Sequence, residues 1–134
     1  AAADARERHA AWEGQADVVM ADVPCSGLGI IRKKPDIRYK NPKELAQLPL
    51  VQRAILENAS GYVRPGGTLV YSTCTVLPEE NEDVTGDFLD KHPEFEPVRT
   101  AFPLPVGPCP GQVTLWPQRH GTDGFYICRM RRKD

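Results

Sequence analysis

The chain of 134 residues lacks the marks of several common protein classes. Its four cysteines include no CxxC pair, which excludes the spacings of a zinc ribbon and of a thioredoxin motif. No apolar run approaches the ~20 residues of a membrane-spanning helix, and no basic start followed by an apolar stretch resembles a signal peptide. A GxGxxG turn, the phosphate loop of dinucleotide-binding folds, is missing too. These absences lead us to expect a single-domain cytoplasmic protein with no membrane partner.

Neither sign of charge prevails, because 17 Lys and Arg residues stand against 18 Asp and Glu residues and the net charge is −1. The charges are nonetheless segregated along the chain. Residues 32–43 carry six basic side chains and one acid, whereas residues 78–90 carry six acids and no basic side chain. A basic patch attracts phosphates even in a protein of neutral total charge, so 32–43 is a candidate nucleic-acid contact. The acids at 79–83 begin a predicted helix, and the helix dipole is sufficient to account for them.

Apolar runs separated by turn signals predict an α/β fold. We expect strands at 17–21, 68–71, 95–98, 113–116 and 125–131, helices at about 48–62 and 78–91, and an irregular proline-rich loop at 97–110. The first run is apolar throughout, which is typical of a central parallel strand covered on both faces. A strand, a helix and a second strand form a βαβ unit, whose parallel strands end at the same edge of the sheet.

Two cysteines follow the ends of these strands. Cys25 comes shortly after the first strand and Cys74 shortly after the second. Adjacent strands lie about 4.8 Å apart, so both thiols are expected in the crevice where α/β sheets hold their ligands. Cysteine is more often a small buried hydrophobe, and that interpretation fits Cys109 and Cys128, which have no polar chemistry beside them.

Asp22 and Pro24 stand directly before the first of these thiols. Alone, an aspartate at the end of a strand is most often a turn or capping residue, and a proline is a rigid corner. Their conjunction with two thiols at one edge of the sheet predicts a reactive site. The three histidines have no convergent partners in the sequence, so we expect surface or turn positions rather than metal ligation for His9, His92 and His120.

The segments DVPCSGLGIIRKKPDIRY (22–39) and YSTCTVLPEEN (71–81) resemble the two active-site motifs of the Nop/Sun (Fmu) family of RNA 5-methylcytosine methyltransferases. GTDGFY (121–126) is similar to the closing segment of that family. The likeness runs from about residue 4 to residue 131 and is strongest to the bacterial enzymes that act on 16S ribosomal RNA. It implies the C-terminal half of a Rossmann-like methyltransferase sheet, mostly parallel with an antiparallel closing strand, with residues 1–134 as the C-terminal portion of the catalytic domain.

The resemblance also implies a reaction, in which S-adenosylmethionine is the methyl donor and no metal takes part. Cys74 would add to carbon 6 of a cytosine and thereby make carbon 5 reactive, which is covalent catalysis. Cys25 would assist the later breakdown of the adduct. Asp22 would contact both the donor and the N3/N4 edge of the base, Pro24 would shape the pocket, and Asp4 would bind the adenine edge of the donor.

By family likeness we expect a ribosomal RNA substrate, which is unstacked at its target base before the base reaches this pocket. Basic side chains of the first motif suit phosphate contacts, and Tyr39 can stack on a base. A solvated loop is an equal alternative for any one of these residues. The predicted substrate contacts are Pro24, Ser26, Arg32, Lys34, Arg38 and Tyr39, and Lys33 and Lys40 suit phosphate contacts as well.

Some elements of the family pattern are not found in the sequence. Family members carry a glycine-rich turn after a first strand and an acid after a second, and many carry an N-terminal RNA-binding domain; none of these is present here. We therefore expect this chain alone to be inactive, to bind the donor weakly or not at all, and to self-associate through the exposed edge of the strand at 17–21. By the same pattern, Asn81 is expected to shape the Cys74 turn through a hydrogen bond.

Two other functional classes stay open. An amino-group methyltransferase carries an Asp-Pro-Pro-Tyr-like motif at the same strand end, which would place an aromatic residue at position 25. A non-catalytic RNA-binding or thiol-redox module would bind equally well after Cys74→Ser and would form a stable Cys25–Cys74 disulfide under mild oxidation.

Overall fold

The structure of the protein is a computed structural model that describes residues 2–134. A mixed five-stranded sheet forms its centre, with a separate two-stranded ribbon beside it. The strands of the chain are β1 (Ala16–Asp22), β2 (Val63–Thr73), β3 (Phe95–Pro97), β4 (Thr100–Ala101), β5 (Pro108–Cys109), β6 (Gln112–Leu115) and β7 (Phe125–Arg132). The ribbon consists of β4 and β5, so the proline-rich loop is partly ordered by its own strand pairing.

The sheet runs in the order β1-β2-β7-β3. β1 and β2 are parallel, and β7 lies antiparallel to β2. On its other side β7 pairs with β3 near its end and with β6 near its start, both antiparallel. The predicted α/β fold, the parallel first pair and the antiparallel closing strand are confirmed. Within residues 2–134 the parallel part of the sheet is the β1–β2 pair.

The helices are α1 (Pro42–Leu45), α2 (Leu48–Tyr62), α3 (Glu82–Lys91) and α4 (Pro117–His120), with 3₁₀ turns at Ala10–Trp12, Pro35–Tyr39 and Pro78–Glu80. α2 carries the chain from β1 to β2 and packs against both, while α3 packs against α2. The two long helices occupy the segments that periodicity and proline placement indicate. No helix within residues 2–134 is long and apolar enough to span a bilayer.

Alternation along β2 and β7 builds the core. Buried side chains at every second position of the two strands face the same side and meet in register, as in the pairs Leu69–Met130 and Tyr71–Cys128. Cys128 is therefore a core residue, as predicted, and burial raises the pKa of its thiol to about 11. Cys109 lies half-buried in β5. The other large buried apolar side chains are Leu56, Val63, Val84, Phe88, Phe95 and Tyr126.

Two expectations about β1 and β2 differ from the structure. β2 begins at Val63 and not at 68, because Ala16 pairs with Val63 whereas Val18 pairs with Thr68, which leaves residues 64–67 as a bulge inside the strand. Gly66 in this bulge has a φ of 76°, a conformation that glycine adopts without strain. The prediction that 17–21 is covered on both faces is wrong for the residues described, since Met20 is 71% exposed.

His92 joins α2, α3 and the segment before β3. Its ring stacks on Phe88 with 4.4 Å between centroids, Nε2 lies 2.8 Å from a Glu57 carboxylate oxygen, and Nδ1 lies 2.9 Å from one of Glu94. Burial opposes protonation, but the hydrogen bonds to Glu94 and Glu57 outweigh it and raise the pKa of His92. The prediction that this histidine has no convergent partners is wrong, because residues distant in sequence meet at its ring.

We expect His92→Gln to cost more stability in mild acid than in mild base. The pKa of His92 in the folded state is above the ordinary 6.5. The contacts of the imidazolium therefore stabilise the folded state fully below pH 6.5, and this stabilisation is lost as the pH rises through the folded-state pKa. Both carboxylates are largely exposed, so the difference should be about 1 kcal/mol or less. Urea unfolding at about pH 5.5 and about pH 9 measures it. A loss of the same size at both pH values would contradict this account.

Candidate active site

The two predicted thiols meet at the carboxyl ends of β1 and β2. Cys25 lies on the turn after β1 and Cys74 on the turn after β2, and their Sγ atoms are 2.9 Å apart. The backbone N–H of Cys74 also donates to Cys25 Sγ at 3.2 Å. Both thiols are free and half-buried. Parallel pairing of the two strands is what brings residues 49 positions apart to a single contact.

The environment of Cys25 favours the protonated thiol. Burial is the main cause, a hydrogen bond to the Cys74 side chain adds to it, and together they raise the pKa of Cys25 to about 12. Cys25 therefore keeps its proton near neutral pH and can donate it towards Cys74 Sγ.

Close backbone contacts join three separate sequence segments around the thiols. The N–H of Gly29 donates to the Cys74 carbonyl at 3.0 Å, and the N–H of Gly124 donates to the Gly29 carbonyl at 2.7 Å. A β-carbon on Gly29 would overlap the Gly124 carbonyl oxygen, so a side chain does not fit there. The segment 121–126 thus closes the site by direct contact with the turn that follows Cys25.

A buried polar network supports the same turns from below. Glu80 is 2% exposed, and its carboxylate accepts from the Ser26 N–H at 2.8 Å, the Ser26 hydroxyl at 2.6 Å and Gln52 Nε2 at 2.9 Å. Gln52 Nε2 also donates to the Pro24 carbonyl at 2.9 Å. The Ser26 hydroxyl further lies 2.8 Å from Thr75 Oγ1. These contacts connect the Cys25 turn with the Cys74 turn through side chains.

Two expectations are corrected by this network. Ser26, predicted to contact substrate, is fully buried with its N–H and hydroxyl both engaged by Glu80, so its side chain positions the turn instead. Glu80, attributed above to the helix dipole alone, binds the neighbouring turn. In the sequence, Thr75 and Glu80 stand shortly after Cys74, but nothing in their spacing indicates that both contact Ser26.

Asn81 confirms its expected role. Its Nδ2 donates to the Thr75 carbonyl at 3.0 Å, and its Oδ1 accepts from the Thr73 hydroxyl at 2.6 Å. One amide side chain therefore binds the residues on either side of Cys74, so the turn has a defined shape.

Asp22, Pro24 and Asp4 line one cleft. It measures about 490 Å³ and is completed by Ala5, Arg6, Met20, Ala21, Val51 and Ile55. Asp22 is exposed at the end of β1 and accepts a hydrogen bond from the Ser72 hydroxyl at 3.0 Å. The side-chain hydrogen bond from Arg6 lowers the pKa of Asp4 to about 2, so Asp4 is a carboxylate at neutral pH. Neither thiol is among the residues that line this cleft within 2–134.

The basic segment is divided between paired and free side chains. Arg32 lies 3.0 Å from an oxygen of Asp123 and Lys33 pairs with the other oxygen, and these hydrogen bonds, that of Lys33 first, lower the pKa of Asp123. Lys40 donates to the Ser26 carbonyl at 2.9 Å.

Lys34, Arg38 and Tyr39 are exposed, as are the other basic side chains of the segment. Lys34 and Arg38 make no ion pair with any residue in 2–134. Tyr39 is 81% exposed, and the Arg38 guanidinium lies 5.9 Å from its ring centroid.

Metal ligation finds no support in the part of the chain that the structure describes. No group of three or more His, Cys, Asp or Glu side chains there is arranged to hold an ion. His120 Nδ1 accepts a hydrogen bond from the backbone N–H of Trp116 at 2.9 Å, which closes the α4 turn.

Comparison with known proteins identifies relatives. The family model described as 16S rRNA methyltransferase RsmB/F matches residues 1–131. The probable ribosomal RNA small subunit methyltransferase B of Bacillus subtilis is 44% identical over 137 residues, covering 97% of this chain and 31% of that protein. The ribosomal RNA small subunit methyltransferase B of Thermus thermophilus is 41% identical over 119 residues, covering 88% of this chain and 30% of that protein. The chain thus spans under a third of the length of these relatives.

Solved structures show the same fold. The crystal structure of PH0851 superimposes with a TM-score of 0.85 at 36% identity and covers 97% of this chain and 30% of that one. The crystal structure of NSun6 from Pyrococcus horikoshii with SFG gives a TM-score of 0.70 at 29% identity, covering 90% of this chain and 31% of that one. With a family match over nearly its whole length and a shared fold, this chain belongs to the RsmB/F family of 16S rRNA methyltransferases.

Proposed function

We propose that the protein transfers a methyl group from S-adenosylmethionine to carbon 5 of a cytosine in RNA, with 16S ribosomal RNA as the favoured substrate. The observation that carries the proposal is the 2.9 Å contact between Cys25 and Cys74 at the ends of two parallel strands. Carbon 5 of cytosine is a poor nucleophile, and a thiol that adds to carbon 6 overcomes this. The names of the relatives, which act on small-subunit ribosomal RNA, support the substrate class.

In this proposal Cys74 is the nucleophile. Its thiolate forms a bond to carbon 6 and carbon 5 takes the methyl group. Transfer of the carbon-5 proton to solvent water, acting as the base, then expels the Cys74 sulfur from carbon 6 as a thiolate and restores the aromatic ring. The Cys25 thiol, 2.9 Å from Cys74 Sγ, can donate a hydrogen bond that stabilises the departing Cys74 thiolate. The Asp22 carboxyl would hydrogen-bond the N3/N4 edge of the base.

The donor would occupy the cleft lined by Asp4, Asp22 and Pro24. S-Adenosylmethionine supplies a methyl group on a positively charged sulfonium. The Asp22 carboxyl group and the apolar side chains of Val51 and Ile55 suit a cation attached to a flat heterocycle, while the Asp4 carboxylate is paired with Arg6 in the same cleft. NSun6 from Pyrococcus horikoshii was solved with SFG, an analogue of this donor, which supports the same cofactor here. Activity of residues 1–134 alone is not expected, and a cytoplasmic location stays a prediction.

A thiol-redox module is the second candidate, because two thiols in contact can also form a disulfide. That function needs both sulfurs and no RNA. Covalent trapping on RNA discriminates the two candidates, since only the methyltransferase forms a bond between Cys74 and a base. The amino-group methyltransferase is disfavoured, because position 25 holds a thiol in contact with a second thiol and not an aromatic ring.

We expect the intact protein, given donor and RNA that contains 5-fluorocytosine, to form a covalent complex that withstands denaturation. Fluorine at carbon 5 blocks the proton loss that releases the enzyme, so the Cys74–carbon 6 bond persists. Cys74→Ala should abolish the complex, which gel electrophoresis of labelled RNA measures. Cys25→Ala should still form it, because Cys25 acts only in release, and Cys109→Ala is the matched control. A complex that survives Cys74→Ala would overturn the assignment.

Lys34 and Arg38 are proposed to contact RNA phosphates, because both are exposed and free of ion pairs within residues 2–134. The double variant Lys34→Ala/Arg38→Ala should weaken RNA binding and reduce the slope of log affinity against log salt by about 0.7 for each lost contact. Fluorescence anisotropy across a salt series measures this. The matched control Lys91→Ala/Arg99→Ala removes two exposed charges elsewhere. Equal slopes for both double variants would contradict the proposed interface.

We also propose that residues 1–134 alone associate with a second copy through β1. Within the described residues β1 pairs only with β2, and Val18 and Met20 are 59% and 71% exposed beside the free edge. Light scattering should show a dimer or larger species, and Val18→Lys should shift it towards monomer. Leu104→Lys, at an exposed apolar position away from β1, is the control. A monomer in the unsubstituted chain would refute this association.

A further inference from the structure

We infer that Glu80 is a positioning residue that sets the contact between the two thiols, an inference that rests on the proposed function for its catalytic meaning. Glu80 lies on the 3₁₀ turn that follows Cys74 and reaches across to the turn that holds Cys25. It touches neither sulfur. Its carboxylate instead determines where the residue after Cys25 lies, through two hydrogen bonds to Ser26.

The geometry of Glu80 fits a carboxylate specifically. Its two oxygens accept three donors, the Ser26 N–H, the Ser26 hydroxyl and Gln52 Nε2, at 2.6–2.9 Å. No ion pair from within residues 2–134 neutralises it. Burying a carboxylate without a cation is costly, and packing alone would be served better by an apolar side chain. The three donors therefore indicate a carboxylate kept for geometry.

Gln52 extends the effect of Glu80 to Pro24. Its Nε2 donates to both the Pro24 carbonyl and Glu80, while its Oε1 is buried with no hydrogen-bond partner among residues 2–134. The amide is thus held by its nitrogen alone. Glu80 consequently orients the side chain that holds the residue before Cys25, as well as the residue after it.

The backbone of Glu80 is attached to the segment that carries Cys74. Its backbone carbonyl accepts from the buried Tyr71 hydroxyl at 2.5 Å, and the next residue, Asn81, binds Thr73 and Thr75. One residue is therefore attached to both turns, and a change in its side chain shifts one sulfur relative to the other. A shift of about 1 Å at reacting groups can cost about 100-fold in rate.

The test is a thiol exchange that needs neither RNA nor donor. In the intact protein, one thiol attacks 2,2′-dithiodipyridine, forming a mixed disulfide and releasing one pyridinethione. The neighbouring thiol then displaces a second pyridinethione and closes the Cys25–Cys74 disulfide, so the oxidant is the reagent itself. The first release reports access to the thiol, and the second reports how well the two sulfurs are aligned. Cys25→Ser should abolish the second release.

We expect Glu80→Gln to slow the second release about 10- to 100-fold and to change the rate of the first release by no more than about twofold. The reason is that the amide nitrogen of glutamine would face a hydrogen-bond donor at a position where a carboxylate oxygen accepts a hydrogen bond. Glu79→Gln makes the same chemical change at the exposed neighbour and should alter neither step. In methylation assays Glu80→Gln should lower kcat and leave KM for RNA unchanged. Ser26→Ala, which removes one of the three donors, should slow the second release by an intermediate factor.

A second release of unchanged rate in folded Glu80→Gln, verified by circular dichroism, would overturn the inference. If that variant does not fold, an unchanged rate in Ser26→Ala overturns it equally. Either result leaves the methyl-transfer proposal intact, which fails only if the Cys74-dependent covalent complex with RNA is not formed.

Discussion

Parallel pairing of β1 with β2 is the constraint on which the site depends. It makes the two strands end at the same edge of the sheet, so that the turns beyond them stand side by side. From this follow the contact between Cys25 and Cys74, the accessible position of Asp22 and the cleft that leads towards Asp4. The packing of α2 on both strands holds the pair in place, and β7 completes the other side of β2.

The two turns are then shaped from opposite sides. On one side, Gly29 and Gly124 approach so closely that no β-carbon fits between the two backbone segments, and backbone hydrogen bonds join residues 121–126 through Gly29 to the Cys74 turn. On the other side, Glu80 binds Ser26 and Asn81 binds Thr73 and Thr75 through buried hydrogen bonds. A site held in this way has little freedom, which the proposed attack of the Cys74 sulfur on a base carbon would require.

Basic and acidic side chains near the two thiols lie on different parts of the surface. Asp123 pairs with Arg32 and Lys33, so the cations of the basic segment that make no ion pair within residues 2–134 are Lys34, Arg38, Lys40 and Lys43, with Arg38 next to the exposed ring of Tyr39. The cleft at the end of β1 is lined by Asp22 and by Asp4, whose carboxylate is paired with Arg6. Under the proposed function, RNA phosphates would meet the basic segment and the donor would meet this cleft, so the two substrates would bind at different places on the molecule.

Local patterns in the sequence determined the strands, the long helices and the burial of Cys128, because each depends on periodicity. The parallel first pair and the neighbouring positions of the two thiols followed from the rule that the strands of a βαβ unit end at the same edge of the sheet. The tertiary structure alone decided which charged and polar side chains are paired, buried or free. The contacts of His92 with Glu57, of Arg32 with Asp123 and of Ser26 with Glu80 each join residues more than 30 positions apart. Glu80 is also buried. Glu94, by contrast, lies close to His92 in sequence. Such contacts arise only when the whole chain packs, and no local rule encodes them.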